Sequence, residues 1–348
     1  MAVRRKRKSS RKKRGSSAAA VLLVFFLALL LAAGAAAWLF LAPFGPETET
    51  FVEIAPGSST ARIGQQLEAA GVVRSRFAFD LLRWVKPGAL KAGEYRFDHP
   101  APLGEVYRRI VRGDVFTKAV TIPEGASIFE IAARLEQAGF GVRQGFLDAA
   151  VTQAGLVADL DPKARSLEGY LFPDTYYLAR KATPAQIVNL MVRRFRTVAA
   201  QLGLKENVHT VVTLASLVER ETAVDAERPL VASVFFNRLG KKMPLMTDPS
   251  VIYGLELEGR WRGAIYQSDL KRNTPWNTYL HPGLPPGPVD NPGARSLRAA
   301  MEPAKTDYLY FVAAGANAQG RSLFSSTLDE HNRNVAGYRH AVKKAGGR

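Results

Sequence analysis

Phe51-Val52-Glu53-Ile54-Ala55-Pro56-Gly57-Ser58-Ser59 returns 68 positions later as Ala119-Val120-Thr121-Ile122-Pro123-Glu124-Gly125-Ala126-Ser127. The match continues through Ile63 and Ile131, Leu67 and Leu135, Glu68 and Glu136, Ala70 and Ala138, and Gly71 and Gly139. Each copy reads as a short strand, a glycine turn, a serine to cap a helix, and a second glycine to end it. Between the copies the pattern predicts a helix over residues 76–85, a strand over 93–97 and a helix over 103–112. The fold class is therefore α+β. A small module over residues 51–117 is followed by a second, partial copy that opens a larger α+β domain over residues 118–348. Such a repeat fixes shared architecture, not shared function.

Upstream of the repeat, Arg4-Arg5-Lys6-Arg7-Lys8 and Arg11-Lys12-Lys13-Arg14 form a basic tail over residues 1–17, with no acid before Glu47. These nine cations carry about half of the formal charge of +17. The basicity is partly a property of the tail, and an export anchor beside it argues against a nucleic-acid partner. Residues 18–42 carry no charge, and at about 1.5 Å per residue they span a bilayer core of about 30 Å. The positive-inside rule puts the basic flank in the cytoplasm and the rest of the chain outside it. Ala35-Ala36-Ala37 offers a cleavage site for the alternative, a signal peptide. The apolar run nevertheless continues through Trp38, Leu39 and Phe40. A spacer over residues 43–50 leads into the repeat. The chain has no cysteine, so neither disulfides nor thiol chemistry are available to the exported part.

Downstream, apolar periodicity predicts helices over residues 183–202, 208–222, 228–239, 249–253 and 293–301. A strand over 308–313 is expected to pair with 322–325. Residues 273–292 hold six prolines and read as an ordered irregular loop. Trp276, Asn277, Tyr279, His281 and Leu284 on this loop favour binding, since aromatic platforms and amides suit sugar rings; a rigid cover over the core is the alternative.

The five histidines show no zinc-binding spacing, and neither a GxSxG elbow nor a phosphate loop is present. No cofactor or metal is expected. What remains are carboxylates among aromatics and amides. One is Glu168, in Leu167-Glu168-Gly169-Tyr170-Leu171-Phe172-Pro173-Asp174-Thr175-Tyr176; the other is Glu219, in Ala215-Ser216-Leu217-Val218-Glu219-Arg220-Glu221-Thr222. On a helical wheel Glu219 falls between Val212 and Ala215, and Glu221 lies near Leu214, so both point toward the apolar side. Burial of a carboxylate raises its pKa and makes a general acid. Helix geometry alone leaves open that both glutamates are solvated last-turn residues or partners of arginines. The inventory fits glycosidic chemistry, which needs a proton on the leaving oxygen.

Further motifs follow in order: Val234-Phe235-Phe236-Asn237-Arg238-Leu239, Thr247-Asp248-Pro249-Ser250-Val251-Ile252-Tyr253-Gly254, Asn277-Thr278-Tyr279 with Gly283-Leu284-Pro285-Pro286-Gly287, Pro303-Ala304-Lys305-Thr306 with Tyr308-Leu309-Tyr310-Phe311-Val312, and His331-Asn332. With the two carboxylate motifs, this series resembles the YceG-like, endolytic murein transglycosylase family from Phe51 onward. Met243-Pro244-Leu245-Met246 is less polar than that pattern leads one to expect.

The resemblance implies a membrane-anchored lytic transglycosylase that cuts between N-acetylmuramic acid and N-acetylglucosamine within peptidoglycan strands, leaving 1,6-anhydro ends and terminating nascent strands. It places the essential glutamate at Glu219. Weaker expectations make Glu168, Asn237, Asp248, Asn277, Tyr279, His331 and Asn332 substrate-binding residues. Asp248 also reads as an N-cap before Pro249, Asp174 as a turn cap, and Thr222 as a residue that orients Glu219. The implied partners are peptidoglycan strands, the plasma membrane through one helix, and the penicillin-binding proteins of the elongation machinery. The small module resembles a LysM-like glycan holder. Two alternatives stand beside the enzyme: a non-catalytic peptidoglycan-binding scaffold, and a glycoside hydrolase pairing Glu168 with Glu219.

Overall fold

A computed structural model describes residues 15–315 and 320–346. Most of the basic tail lies outside the described residues. The chain divides into two compact units, residues 1–117 and 118–348.

The first unit begins with α1 (Gly15–Leu41), whose segment Ala19–Leu41 has a mean hydropathy of 2.7. By length and composition this helix can cross a membrane. Then come β1 (Thr50–Ile54), α2 (Thr60–Ala69), α3 (Arg76–Val85), β2 (Gly93–Phe97) and α4 (Leu103–Arg112). The strands pair antiparallel, Val52 opposite Tyr95. Ser59 caps α2 by accepting from Arg62 N, and Ser75 caps α3 in the same way through Ala78 N. Ile63, Leu67, Phe79, Tyr95 and Ile110 fill the space between helices and strands.

The second unit starts as the first does. β3 (Lys118–Thr121) leads to α5 (Ile128–Gln137), α6 (Arg143–Thr152) and β4 (Thr175–Leu178). β3 pairs antiparallel with β4, Val120 opposite Tyr176. The repeat is therefore complete rather than partial: two strands enclose two helices in both units. The sequence hid the closing strand, because it begins in the last two residues of the Leu167–Tyr176 motif and follows a loop with no counterpart in the first copy. Ser127 and Glu130 form a reciprocal capping box at the start of α5. Gly71 and Gly139, both at positive φ, end α2 and α5 alike.

The remaining elements are α7 (Pro184–Leu202), α8 (Val208–Glu221), α9 (Arg228–Gly240), α10 (Asp248–Leu257), α11 (Ala294–Met301), β5 (Tyr310–Ala313), β6 (Ser322–Ser325) and α12 (Leu328–Gly346). The β5–β6 hairpin was expected; α12 was not, because its apolar stripe is weak. α10 runs ten residues, starting one earlier and ending four later than the expected 249–253. α8 is the buried centre, with Val212 to Val218 all inaccessible, and it packs on α11 and α9. Gly169, at φ 86°, lets the chain cross close to Val212 on α8 and Pro288, where a Cβ would meet both side chains at 2.5–2.7 Å.

Candidate active site

Glu219 and Glu221 close α8, two residues apart, and the fold treats them differently. The Glu219 side chain is 5% exposed. Its Oε1 accepts from Arg228 Nη1 at 2.7 Å and its Oε2 from Gly293 N at 2.8 Å. The same guanidinium nitrogen also donates to Ser296 Oγ at 2.8 Å. Arg228 is itself buried, at the first turn of α9, and its Nε faces Asp225 at 3.3 Å. Gly125, at the turn of the second repeat, passes so near that a Cβ there would stand 3.3 Å from Glu219 Cγ. Both oxygens of Glu219 are thus occupied and its surroundings are closed. Glu124 lies alongside, and burial, reinforced by the Glu219 charge, pushes its carboxyl up.

Glu221 instead lines a cleft of about 490 Å³. Arg238, Tyr279, Tyr310, His331 and Asn332 share its walls. Burial raises the Glu221 carboxyl to about 7, Asp248 adds to the rise, and Arg238 opposes it. That value suits a group that must hold a proton and give it up near neutrality.

The frame around Glu221 is built from backbone contacts. Arg238 Nε donates to Leu309 O at 2.7 Å and Nη1 to Leu245 O at 2.9 Å, which fixes the guanidinium 5.2 Å from the Tyr310 ring centroid. The His331 ring stacks on Tyr310, with centroids 5.1 Å apart and planes 22° from parallel. Burial and the Arg238 charge together lower the pKa of His331, which favours the neutral imidazole. Tyr279 Oη donates to Asp248 Oδ1 at 2.6 Å.

The other expected site residues are distributed unevenly. Tyr279, His331 and Asn332 lie with Glu221 on the cleft. Asn237 spends both amide hydrogens on Thr306 O and Tyr308 O, at 2.8 and 3.0 Å. Asn277 is buried and holds its own loop together, donating to Leu270 O and Arg272 O and accepting from Tyr279 N. Asp248 is the first residue of α10, not its cap; Thr247 takes the cap position and Pro249 follows inside the helix. Its carboxylate serves Tyr279 instead. Asp174 accepts from Thr175 N and from Arg194 Nε.

Glu168 belongs to the helix framework. Its carboxyl receives Ile128 N at the start of α5 at 2.9 Å and Asn291 Nδ2 at 2.7 Å. Full burial raises it to about 8, against the opposing hydrogen bonds from Ile128 and Tyr253. Among the described residues no group of three metal-ligating side chains occurs.

Sequence reasoning missed Arg228 and Arg238 as partners of the two glutamates. Arg238 was in view, within the Asn237-Arg238 motif, but nothing in a linear pattern pairs it with Glu221.

A fold that repeats a strand–helix–helix–strand motif and carries a buried helix ending at an acid beside an aromatic cleft defines a recognisable class. The chain belongs to the YceG-like family, which it matches over residues 52–337. It is similar to an endolytic murein transglycosylase of Bacillus subtilis (strain 168), 32% identical over 82% of this chain and 84% of the relative. A second protein of that name, from Streptococcus pneumoniae serotype 2, is 28% identical over 85% of this chain and 60% of the relative. A crystal structure of a YceG-like protein from Listeria monocytogenes aligns with a TM-score of 0.53 at 31% identity, covering 83% of this chain and 99% of that one.

Proposed function

We propose that this chain is an endolytic murein transglycosylase with Glu221, rather than Glu219, as its acid–base residue. The observation that carries the reading is the carboxyl of Glu221, raised to about 7 on the wall of a cleft of about 490 Å³. The names of the curated relatives supply the substrate class. Glu219 was the expectation from resemblance. Its buried ion pair with Arg228 and its bond from Gly293 N support an anchoring role for it.

In this mechanism protonated Glu221 gives its proton to the glycosidic oxygen between N-acetylmuramic acid and N-acetylglucosamine, and the C1–O bond breaks. The carboxylate then takes the proton of the sugar's own C6 hydroxyl. O6 attacks C1, which closes a 1,6-anhydro ring and returns Glu221 to its starting state. No water enters, so no second carboxylate is required. Arg238 holds the glutamate's negative form, Tyr279 offers a ring surface for the sugars, and Asn332 offers an amide to an N-acetyl group.

The same reading makes α1 a membrane anchor with a cytoplasmic N-terminus and an extracytoplasmic body. It makes residues 51–117 a LysM-like module that steadies the glycan, and it ends nascent strands beside penicillin-binding proteins. The test is mass spectrometry of products from uncrosslinked strands, using the full-length chain in detergent and its Glu221→Gln and Glu219→Gln variants. Internal cuts with anhydro ends, lost in Glu221→Gln, support the reading. Reducing ends would mean a hydrolase, and the absence of cleavage by folded protein would leave a scaffold.

A further inference from the structure

A second pocket, of about 310 Å³, lies in the same unit and takes no part in the chemistry above. One wall is aromatic: Tyr253 and Trp276 pack edge to face with ring centroids 4.8 Å apart, and Pro286 extends the surface. The lining also includes His209 and Tyr170, which share a buried partner outside the pocket. Asp161, whose side chain is 1% exposed, accepts from His209 Nδ1 at 2.7 Å and from Tyr170 Oη at 2.5 Å. This fixes the His209 tautomer and leaves Nε2 without a hydrogen-bond partner among the described residues. Lys163 and Arg165 line the same pocket, and among the described residues neither enters an ion pair.

The volume falls at the small end for ligand sites. An occupant must offer small apolar groups to the aromatic wall, carboxylates to the cations and an N–H to the imidazole Nε2. Murein strands carry such a group, a short peptide stem built of alanines, a γ-linked glutamate and a diamino acid. His209 and Glu221 stand at opposite ends of α8. Twelve residues at 1.5 Å each put them about 18 Å apart along the axis. That exceeds a single sugar ring, so a stem in this pocket would hang from a muramyl residue neighbouring the one being cut.

We propose that the pocket between Trp276, His209 and the Lys163–Arg165 pair binds the peptide stem of a murein strand, and so sets where along the strand the cleft cuts. The inference rests on the murein reading above. It makes the enzyme prefer stem-bearing strands while leaving its chemistry independent of the stem.

The test is isothermal titration of the full-length Glu221→Gln chain in lipid nanodiscs with the free peptide L-alanyl-γ-D-glutamyl-diaminopimelyl-D-alanine. Binding is expected, weakened roughly tenfold or more by a Lys163→Ala/Arg165→Ala double change that removes two charge-assisted contacts. The double variant with Glu221 intact should still cut strands stripped of peptide at the unmodified rate. Absence of binding, or binding indifferent to the double change, overturns the stem site. Equal competition by decanoate also overturns it, since the pocket would then accept any apolar anion. The two readings fail separately: anhydro ends from stripped strands without peptide binding leave the enzyme standing, and peptide binding without cleavage leaves the stem site standing.

Discussion

Tyr279 Oη donates a 2.6 Å hydrogen bond to Asp248 Oδ1, tying the proline-rich loop to the first turn of α10. The bond holds a negative charge where it bears on Glu221, since Asp248 contributes to the raised carboxyl. The loop therefore both lines the cleft and forms part of the electrostatic setting of Glu221.

The two glutamates of α8 separate by their failures. Glu221→Gln should lower cleavage roughly 10²–10⁴-fold, the usual contribution of a general acid, with no loss of melting temperature. Glu219→Gln should leave the Arg228 guanidinium buried beside an amide. Breaking such a pair costs about 3–5 kcal/mol, so the loss should appear in urea unfolding before it appears in residual specific activity.

Asp248→Asn should move the pH dependence of activity. The first proton transfer needs Glu221 protonated, so kcat/KM is expected to fall as pH rises through about 7. Removing the Asp248 charge lowers the Glu221 pKa and shifts that falling limb to lower pH. A pH–rate profile on solubilised strands reads the shift, and an unmoved limb would assign it to another group.

Stability should decline on the alkaline side. Burial raises the carboxyls of Glu168 to about 8 and of Glu221 and Glu256 to about 7, all from 4.5. A folded-state pKa above the unfolded one contributes stability that is complete below about 4.5 and lost as pH rises through 7–8. Thermal melts from pH 5 to pH 9 should show the decline, and Glu256→Gln should flatten it.

Gly169→Ala should destabilise through two effects at one atom. The residue sits at φ 86°, and its Cβ would press on Pro288 and Val212 at 2.5–2.7 Å. Overpacking of this kind costs about 1–3 kcal/mol, with the left-handed backbone adding to it. A urea midpoint measures the loss, and a neutral result would mean that the loop at Pro288 yields freely.

Much of the architecture was legible because its signals are local. The serine caps at Ser59 and Ser127, the closing glycines at Gly71 and Gly139, and the apolar periodicity of α7 to α9 each lie within one helix of the feature they specify. β4 was not legible, because it is a strand only through its pairing with β3, more than 50 residues earlier. The site was half legible. Tyr279, His331 and Asn332 do meet on one cleft, whereas Asn237, Asn277 and Glu168 turn inward to backbone partners that no linear spacing reveals.

The sequence by itself determined that two glutamates would end an apolar helix, that a strand–helix motif would recur, and that a hydrophobic segment would precede both. Periodicity and capping decide these within a dozen residues. Only the tertiary structure decided which glutamate is sealed and which is open. Glu219 is closed by Arg228, nine residues away, and by Gly293, 74 residues away, while Glu221 meets a cleft assembled from α9, the proline-rich loop, β5 and α12. A carboxylate's chemistry depends on what replaces its water, and for this pair the replacement comes from segments that folding alone brings together.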